Sequence, residues 1–205
     1  VADDVAARIK GSRNFVSSQA IATDLSERAS EVIVLADSAN GESVSTAQVL
    51  KTMIDKQMQC DTTCLFDAGD VPQVMQPECV LISLTAGAIM SEAFALLLIA
   101  ARQSWAAASV VTIQSPDFIF PTRAALEGQI YAQMAKVTRQ DAKVIRKVFD
   151  PLFSVLALPF GPSGNMDVMK TEVGKVIERI GSQKGKAPPS SDEGAPPPKI
   201  ISMRF

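Results

Sequence analysis

Residues 79–103 read CVLISLTAGAIMSEAFALLLIAARQ, an apolar run with one acid, Glu92, before the first base at Arg102. A bilayer span needs ~20 mostly apolar residues, and residues 79–101 reach that length. Three features select a strand and a helix instead. Val80, Leu81 and Ile82 form a β-friendly run ending in Thr85-Ala86-Gly87, a loop signal. Glu92 sits mid-segment, which is costly in hydrocarbon, whereas Ser91-Glu92 suits a first helical turn, where an acid complements the dipole. No basic cluster flanks the segment. The stretch therefore predicts a strand over 79–84, a loop over 85–88 and a helix over 89–103. A helix apolar nearly all round must be covered on most sides. With Ile89, Phe94, Leu96, Leu97, Leu98 and Ile99 it offers more apolar faces than one sheet covers. It is expected to be central in its domain or part of a protein interface.

The same rhythm recurs on both sides. Residues 31–36 (EVIVLA) predict a strand, followed by DSANGES and a helix over 45–58 capped by Ser43 or Ser45. Ala47, Leu50, Ile54 and Met58 form the buried stripe of that helix. A second strand over 62–66 ends in DAGD, and a short helical turn is expected over 71–76. Residues 109–113 (SVVTI) read as a fourth strand, 122–136 as a helix and 153–158 (FSVLAL) as a fifth strand. A last helix carries Met166, Met169, Val173, Val176 or Ile177, and Ile180 at three-four spacing, with Asn165 as N-cap and Gly181 as stop. Five apolar strands alternating with helices imply a parallel sheet covered on both faces. The expected α/β architecture is flavodoxin-like, order 2-1-3-4-5, with Val32–Leu35 central. It occupies residues 31–181, between a helical extension over 1–30 and an extended Pro-rich tail over 182–205. Ala6, Ile9, Phe15, Ala20, Ile21 and Leu25 are the apolar positions of the extension.

Of the 205 residues, 47% are apolar and 20% charged, a globular profile. The net charge of −2, with acids and bases interspersed, argues against a nucleic-acid or anionic-membrane binder, which needs a basic face. The absence of histidine excludes serine-histidine-acid triads, cysteine-histidine dyads and imidazole metal sites. Three cysteines, Cys60, Cys64 and Cys79, do not make a disulfide framework, so a reducing intracellular compartment is expected. The chain begins at Val1, so either a targeting segment has been removed or the true N-terminus is missing. A mitochondrial or plastid location after presequence removal fits that start.

In such folds ligands bind beyond the C-terminal ends of the strands. The candidates there are Asp37, Ser38, Asn40, Gly41, Asp67 and Ser83, with Asp70, Thr85, Gln114, Ser115, Asp117, Pro159 and Gly161 around them and Glu92 on the following helix. Asp and Ser after a strand usually cap turns or helices, and that reading stands beside ligand contact at every one of these positions. SANGES is similar to a phosphate loop of a flavin-binding protein, which surrounds a phosphate with hydroxyls and backbone amides. Glu42 would place a charge of the wrong sign there, and the only tryptophan and tyrosine, Trp105 and Tyr131, are distant in sequence. A phosphoacceptor site needs an acid after the third strand and a lysine after the fifth, where Ser83 to Thr85 and Pro159 stand instead. Cys60-x-x-x-Cys64 has the wrong spacing for a redox pair, and a zinc site needs four ligands. Cys64 and Cys79 are expected to be buried fillers. No cofactor or metal is expected.

Three stretches taken together carry a family resemblance: IVLADSANGESVSTAQVLKTMIDKQMQCDTTCLFDAGDVP (33–72), the opening stretch, and SVVTIQSPDFIFPT (109–122). Their order resembles a Toll/interleukin-1 receptor (TIR) domain over about residues 31–181. The resemblance implies one of two roles. Some TIR domains are assembly modules in signalling. Others cleave NAD at the glycosidic bond, using a glutamate on the helix after the third strand in a pattern like S-x-W-x-x-x-E. In the frame Ser91 to Leu97, Ala93 stands at the tryptophan and Leu97 at the glutamate. Leucine cannot hydrogen-bond ribose hydroxyls or stabilise an oxocarbenium ion. Glu92 lies about five residues early, more than one helical turn away. The resemblance therefore implies a non-catalytic interaction module. The alternatives are an NAD-cleaving hydrolase using Glu92, or a flavin- or nucleotide-binding protein using residues 37–43.

Residues 182–199 are low-complexity and rich in Pro, Gly and Ser, a composition that cannot bury enough surface to fold alone. After Pro196, Pro197 and Pro198, the terminal IISMRF supplies Ile200, Ile201, Met203 and Phe205 as anchors for a groove. The expected partners are other protein subunits of a stable complex, with no nucleic acid, no membrane span, and at most peripheral membrane contact.

Overall fold

The computed structural model describes residues 32–183. The expected helical extension over 1–30 and the tail, with Pro196, Pro197, Pro198, Ile200, Ile201, Met203 and Phe205, lie outside the described residues. The order of elements is β1 (Val32–Leu35), α1 (Gly41–Met58), β2 (Thr62–Leu65), a 3-10 turn (Ala68–Asp70), β3 (Cys79–Leu84), a 3-10 turn (Ala88–Met90), α2 (Glu92–Ser104) and β4 (Ser109–Gln114). There follow α3 (Arg123–Ala125), a π-helical turn (Leu126–Ile130), α4 (Tyr131–Thr138), α5 (Ala142–Ser154), β5 (Leu158–Pro159) and α6 (Met166–Gln183).

The strands are apolar on both sides because both sides are covered. They form one parallel five-stranded sheet, order β2-β1-β3-β4-β5, the flavodoxin-like arrangement. β1 is interior, between β2 and β3, while β3 is the middle strand. Side chains alternate along each strand. Val32 and Val34 meet Ala47, Leu50 and Ile54 of α1 and Val173, Val176 and Ile180 of α6. Ile33, Leu35, Val80 and Ile82 meet Phe94, Leu97 and Leu98 of α2, Met134 of α4 and Ile145, Phe149 and Leu152 of α5. The apolar helix α2 is thus covered by its own domain, with the sheet on one side and α4, α5 and the β2–β3 connection around the rest. Of the two expected positions for this helix, the structure shows the first, central in its domain, and it takes two further helices besides the sheet to cover it. Among the described residues, no helix is long and apolar enough to cross a membrane.

Several boundaries differ from expectation. α1 begins at Gly41, capped by Asn40, whose Oδ1 accepts from Glu42 N at 2.9 Å. Neither Ser43 nor Ser45 caps it: Ser43 Oγ accepts from Asp37 N, and Ser45 donates back to Gly41 O. The helical turn after β2 lies at 68–70 rather than 71–76, because Asp67 caps Gly69 N at 2.7 Å. The last helix passes through Gly181 to Gln183. The fifth strand is present but shorter and later than the expected 153–158. Phe153 and Ser154 close α5, and only Leu158 and Pro159 pair with β4.

At the lower end of β2, Lys51 of α1 donates to Asp55 Oδ2 at 2.6 Å and to the Thr62 carbonyl, while Thr62 N donates to Asp55 Oδ1 at 2.7 Å. Burial works against the Asp55 charge, but the hydrogen bonds from Lys51 and Thr62 outweigh it and lower the carboxyl's pKa. Burial also opposes the Lys51 charge, and the bond and charge of Asp55, with Asp61 nearby, raise its pKa nonetheless. The clamp fastens an edge strand to the helix that precedes it.

Candidate functional site

The connection from β1 to β2 runs through α1 on one face, and that from β3 to β4 through α2 on the other. The chain directions diverge between β1 and β3, which opens a crevice at their C-terminal ends. An open cleft of about 560 Å³ lies there, bordered by Ala39, Asp67, Gly87, Ser91, Glu92 and Leu96 among others. Gly87 turns the chain after β3 with φ of 81°, a left-handed conformation that side chains resist.

The sequence-derived candidates separate into three groups. Asp67 and Glu92 line the cleft, both exposed. Asp37, Asn40 and Gly41 build its wall without lining it. The Asp37 carboxylate is buried, and its Oδ1 accepts from Ala39 N at 3.1 Å and from the Ser91 hydroxyl at 2.7 Å. Asn40 donates to the Ala86 carbonyl at 3.1 Å, which fastens the β1 loop to the β3 loop. Ser38 is exposed beside them, while Ser83 and Thr85 are buried. The third group lies toward the β4 and β5 ends. Gly161 N donates to Glu172 Oε2 at 3.1 Å, and the buried Ser115 hydroxyl has no partner among the described residues. Gln114 accepts Phe160 N through its backbone, and Asp70, Asp117 and Pro159 are exposed.

The central feature that sequence reasoning missed is the Asp37–Ser91 hydrogen bond. Ser91 also caps α2, accepting from Phe94 N at 3.3 Å. One hydroxyl therefore joins the end of β1 to the start of α2 across the crevice. The only sequence signal was a serine one residue before the first acid of the helix; its partner, 54 positions away, had none.

Chemically the cleft is acidic and poor in donors. Among the described residues no lysine or arginine lines it, and no aromatic ring does. Trp105 is buried elsewhere and donates to the Pro72 carbonyl at 3.2 Å. Tyr131 donates to Asp150 at 2.5 Å; burial and that bond raise the phenol's pKa. Leu97, where the TIR resemblance would place an acid, is fully buried in the core under α2.

Cys79 is buried as expected, whereas Cys64 is only partly buried. Burial pushes the Cys64 thiol up to about 11, far from a reactive thiolate, and its Sγ donates to Ala47 O at 3.5 Å. Among the described residues no group of three or more Cys, Asp or Glu side chains could hold a metal ion. No protein-family model matches this chain, and no curated protein matches it.

Proposed function

We propose that this chain is a non-catalytic, TIR-like interaction module that serves as a structural subunit of a larger protein assembly. The observation that carries the reading is the place of Leu97. It is an apolar side chain in the core, turned from the cleft, at the position where the NAD-cleaving members of the resembled family hold their acid. The polar residues at the strand ends support it too. Asp37, Asn40, Asp67 and Ser91 are committed to capping turns and helices. The loop after β4 offers a surface suited to a protein. The rings of Phe118, Phe120 and Phe153 meet edge to face at 4.9 and 6.3 Å, and Ile119 stands 85% exposed between the first two.

An NAD-cleaving enzyme is the competing reading, and the presence of Glu92 on the cleft favours it. Among the described residues no cation lines the cleft to offset Asp67 and Glu92, an arrangement that disfavours an anionic dinucleotide. Flavin or nucleotide binding at 37–43 has the further difficulty that Glu42 lies in the first turn of α1. Incubation of the chain with NAD is expected to release no nicotinamide. Hydrolysis that disappears in Glu92→Ala would overturn the proposal. Removal of residues 187–205 is expected to leave the thermal midpoint unchanged and to weaken incorporation into the native complex; normal incorporation would count against the subunit role.

A further inference from the structure

A second cavity lies on the α2 face of the sheet, at the opposite end of α2 from the cleft. Its volume is about 80 Å³. Val80 and Val110 of the sheet form its floor, Leu98 and Ala101 of α2 one wall, and Val148 and Leu152 of α5 the other. The truncated fifth strand explains why it exists. β5 pairs only at Ile113 and Gln114, so among the described residues no strand continues along the lower edge of β4 beside Val110. Val155 passes there outside any strand and borders the opening.

The lining offers no set of polar partners for water, which needs two to four, so an apolar occupant is favoured. That volume is several times the ~10–15 Å³ that one water-sized probe needs, which leaves room for a short alkyl chain. Among the described residues that line it, Arg102 is the charged one, and it is exposed. Its Nη1 donates to the Ala106 carbonyl at 3.2 Å, which holds the guanidinium near the rim and uses one of its N–H groups. A guanidinium fork matches a carboxylate in geometry and charge.

We infer that this cavity is a binding site for a small apolar molecule ending in a carboxylate, a short-chain acyl anion, with the alkyl group between α2 and α5 and the carboxylate on Arg102. The site is separate from the cleft and does not depend on the proposed interaction role.

The test is methyl NMR on the 205-residue chain with pentanoate, pentan-1-ol and pentylamine as probes. Pentanoate is expected to shift the Leu98, Val110 and Val148 methyls saturably, pentanol to shift them more weakly, and pentylamine to leave them in place. Ala101→Leu places an isopropyl group in the cavity and should abolish the pentanoate shifts. Arg102→Gln should weaken pentanoate about tenfold and leave pentanol unchanged. Where Ala101→Leu fails to fold by circular dichroism, the exposed Arg102→Gln substitution decides. Absence of saturable pentanoate shifts, shifts that persist in a folded Ala101→Leu, or equal binding of pentanol and pentanoate would each overturn the assignment.

Discussion

Asp55, at the lower end of the sheet, receives donors from two directions, the Lys51 ammonium and the Thr62 amide. Its lowered pKa fixes the sign of its contribution. Stability from Asp55 is present above its unfolded pKa of ~3.9 and lost as pH falls through the folded value. The raised Lys51 acts oppositely: its contribution is present below the unfolded ~10.4 and lost as pH rises through the folded pKa. Asp55→Asn is therefore expected to cost about 1–2 kcal/mol at neutral pH, and its gap from the parent protein should narrow as pH falls below the unfolded ~3.9 and through the lowered folded pKa. Thermal melts at neutral and at acid pH check this. Leu97→Glu is a sharper test of how α2 is oriented. With the side chain in the core, the acid would be buried without a partner, so loss of more than ~3 kcal/mol and no NAD cleavage are expected. A stable, NAD-cleaving Leu97→Glu would show that the helix turns that position toward the cleft. At this scale the sequence was only partly legible. Residue types that cap turns were recognisable, but Asp37 and Ser91 lie on opposite sides of a strand crossing, and nothing local reveals that they meet.

The elements most legible in sequence were those whose local pattern and tertiary burial agree. β3 coincides with its expected bounds because Cys79–Leu84 is buried throughout and Thr85 to Gly87 ends it. α2 begins where Ser91 can cap it. Ser91→Ala should therefore cost α2 about 1–2 kcal/mol, since it removes both the cap and the hydroxyl on buried Asp37. Urea unfolding would measure it; a change below ~0.5 kcal/mol would mean that water replaces both bonds. α5 was the element missed. Its Ile145, Val148, Phe149 and Leu152 recur at helical spacing, and Asp141 caps it by accepting from Lys143 N. Two signals obscured it. The β-friendly FSVLAL reads as a strand by propensity, and Pro151 reads as a helix breaker, because a proline cannot donate to the carbonyl four residues earlier, that of Lys147; the helix nonetheless runs on to Ser154.

At the scale of the whole molecule, strand order was readable because alternating apolar strands and helices admit few right-handed arrangements. The cleft at the switch point followed from that order. Its acidity did not, because which side chains line the cleft depends on how the loops fold back. The connection from β2 to β3 shows the same limit. It carries only one 3-10 turn, yet it covers α2, with Val71 in the core, Met75 packed against it and Gln76 donating to the Ser104 carbonyl at 3.2 Å.

That strap has a consequence for how the chain comes apart. Val74 is 95% exposed, and the strap is anchored on both sides of it, by Pro72 to Trp105 and by Gln76 to Ser104. Among the described residues this is where a protease is expected to cut, and the cut should separate nothing. One piece would carry β1, α1 and β2, the other β3 onward, and the β1–β3 ladder with the α1–α6 packing would still join them. Limited digestion is expected to give two bands under denaturing conditions and a single species of unchanged mass on a native column, whereas separation of the pieces would show that the ladder cannot hold alone. The domain is in that sense already two half-molecules, and the two pieces produced separately should find each other and rebuild one sheet.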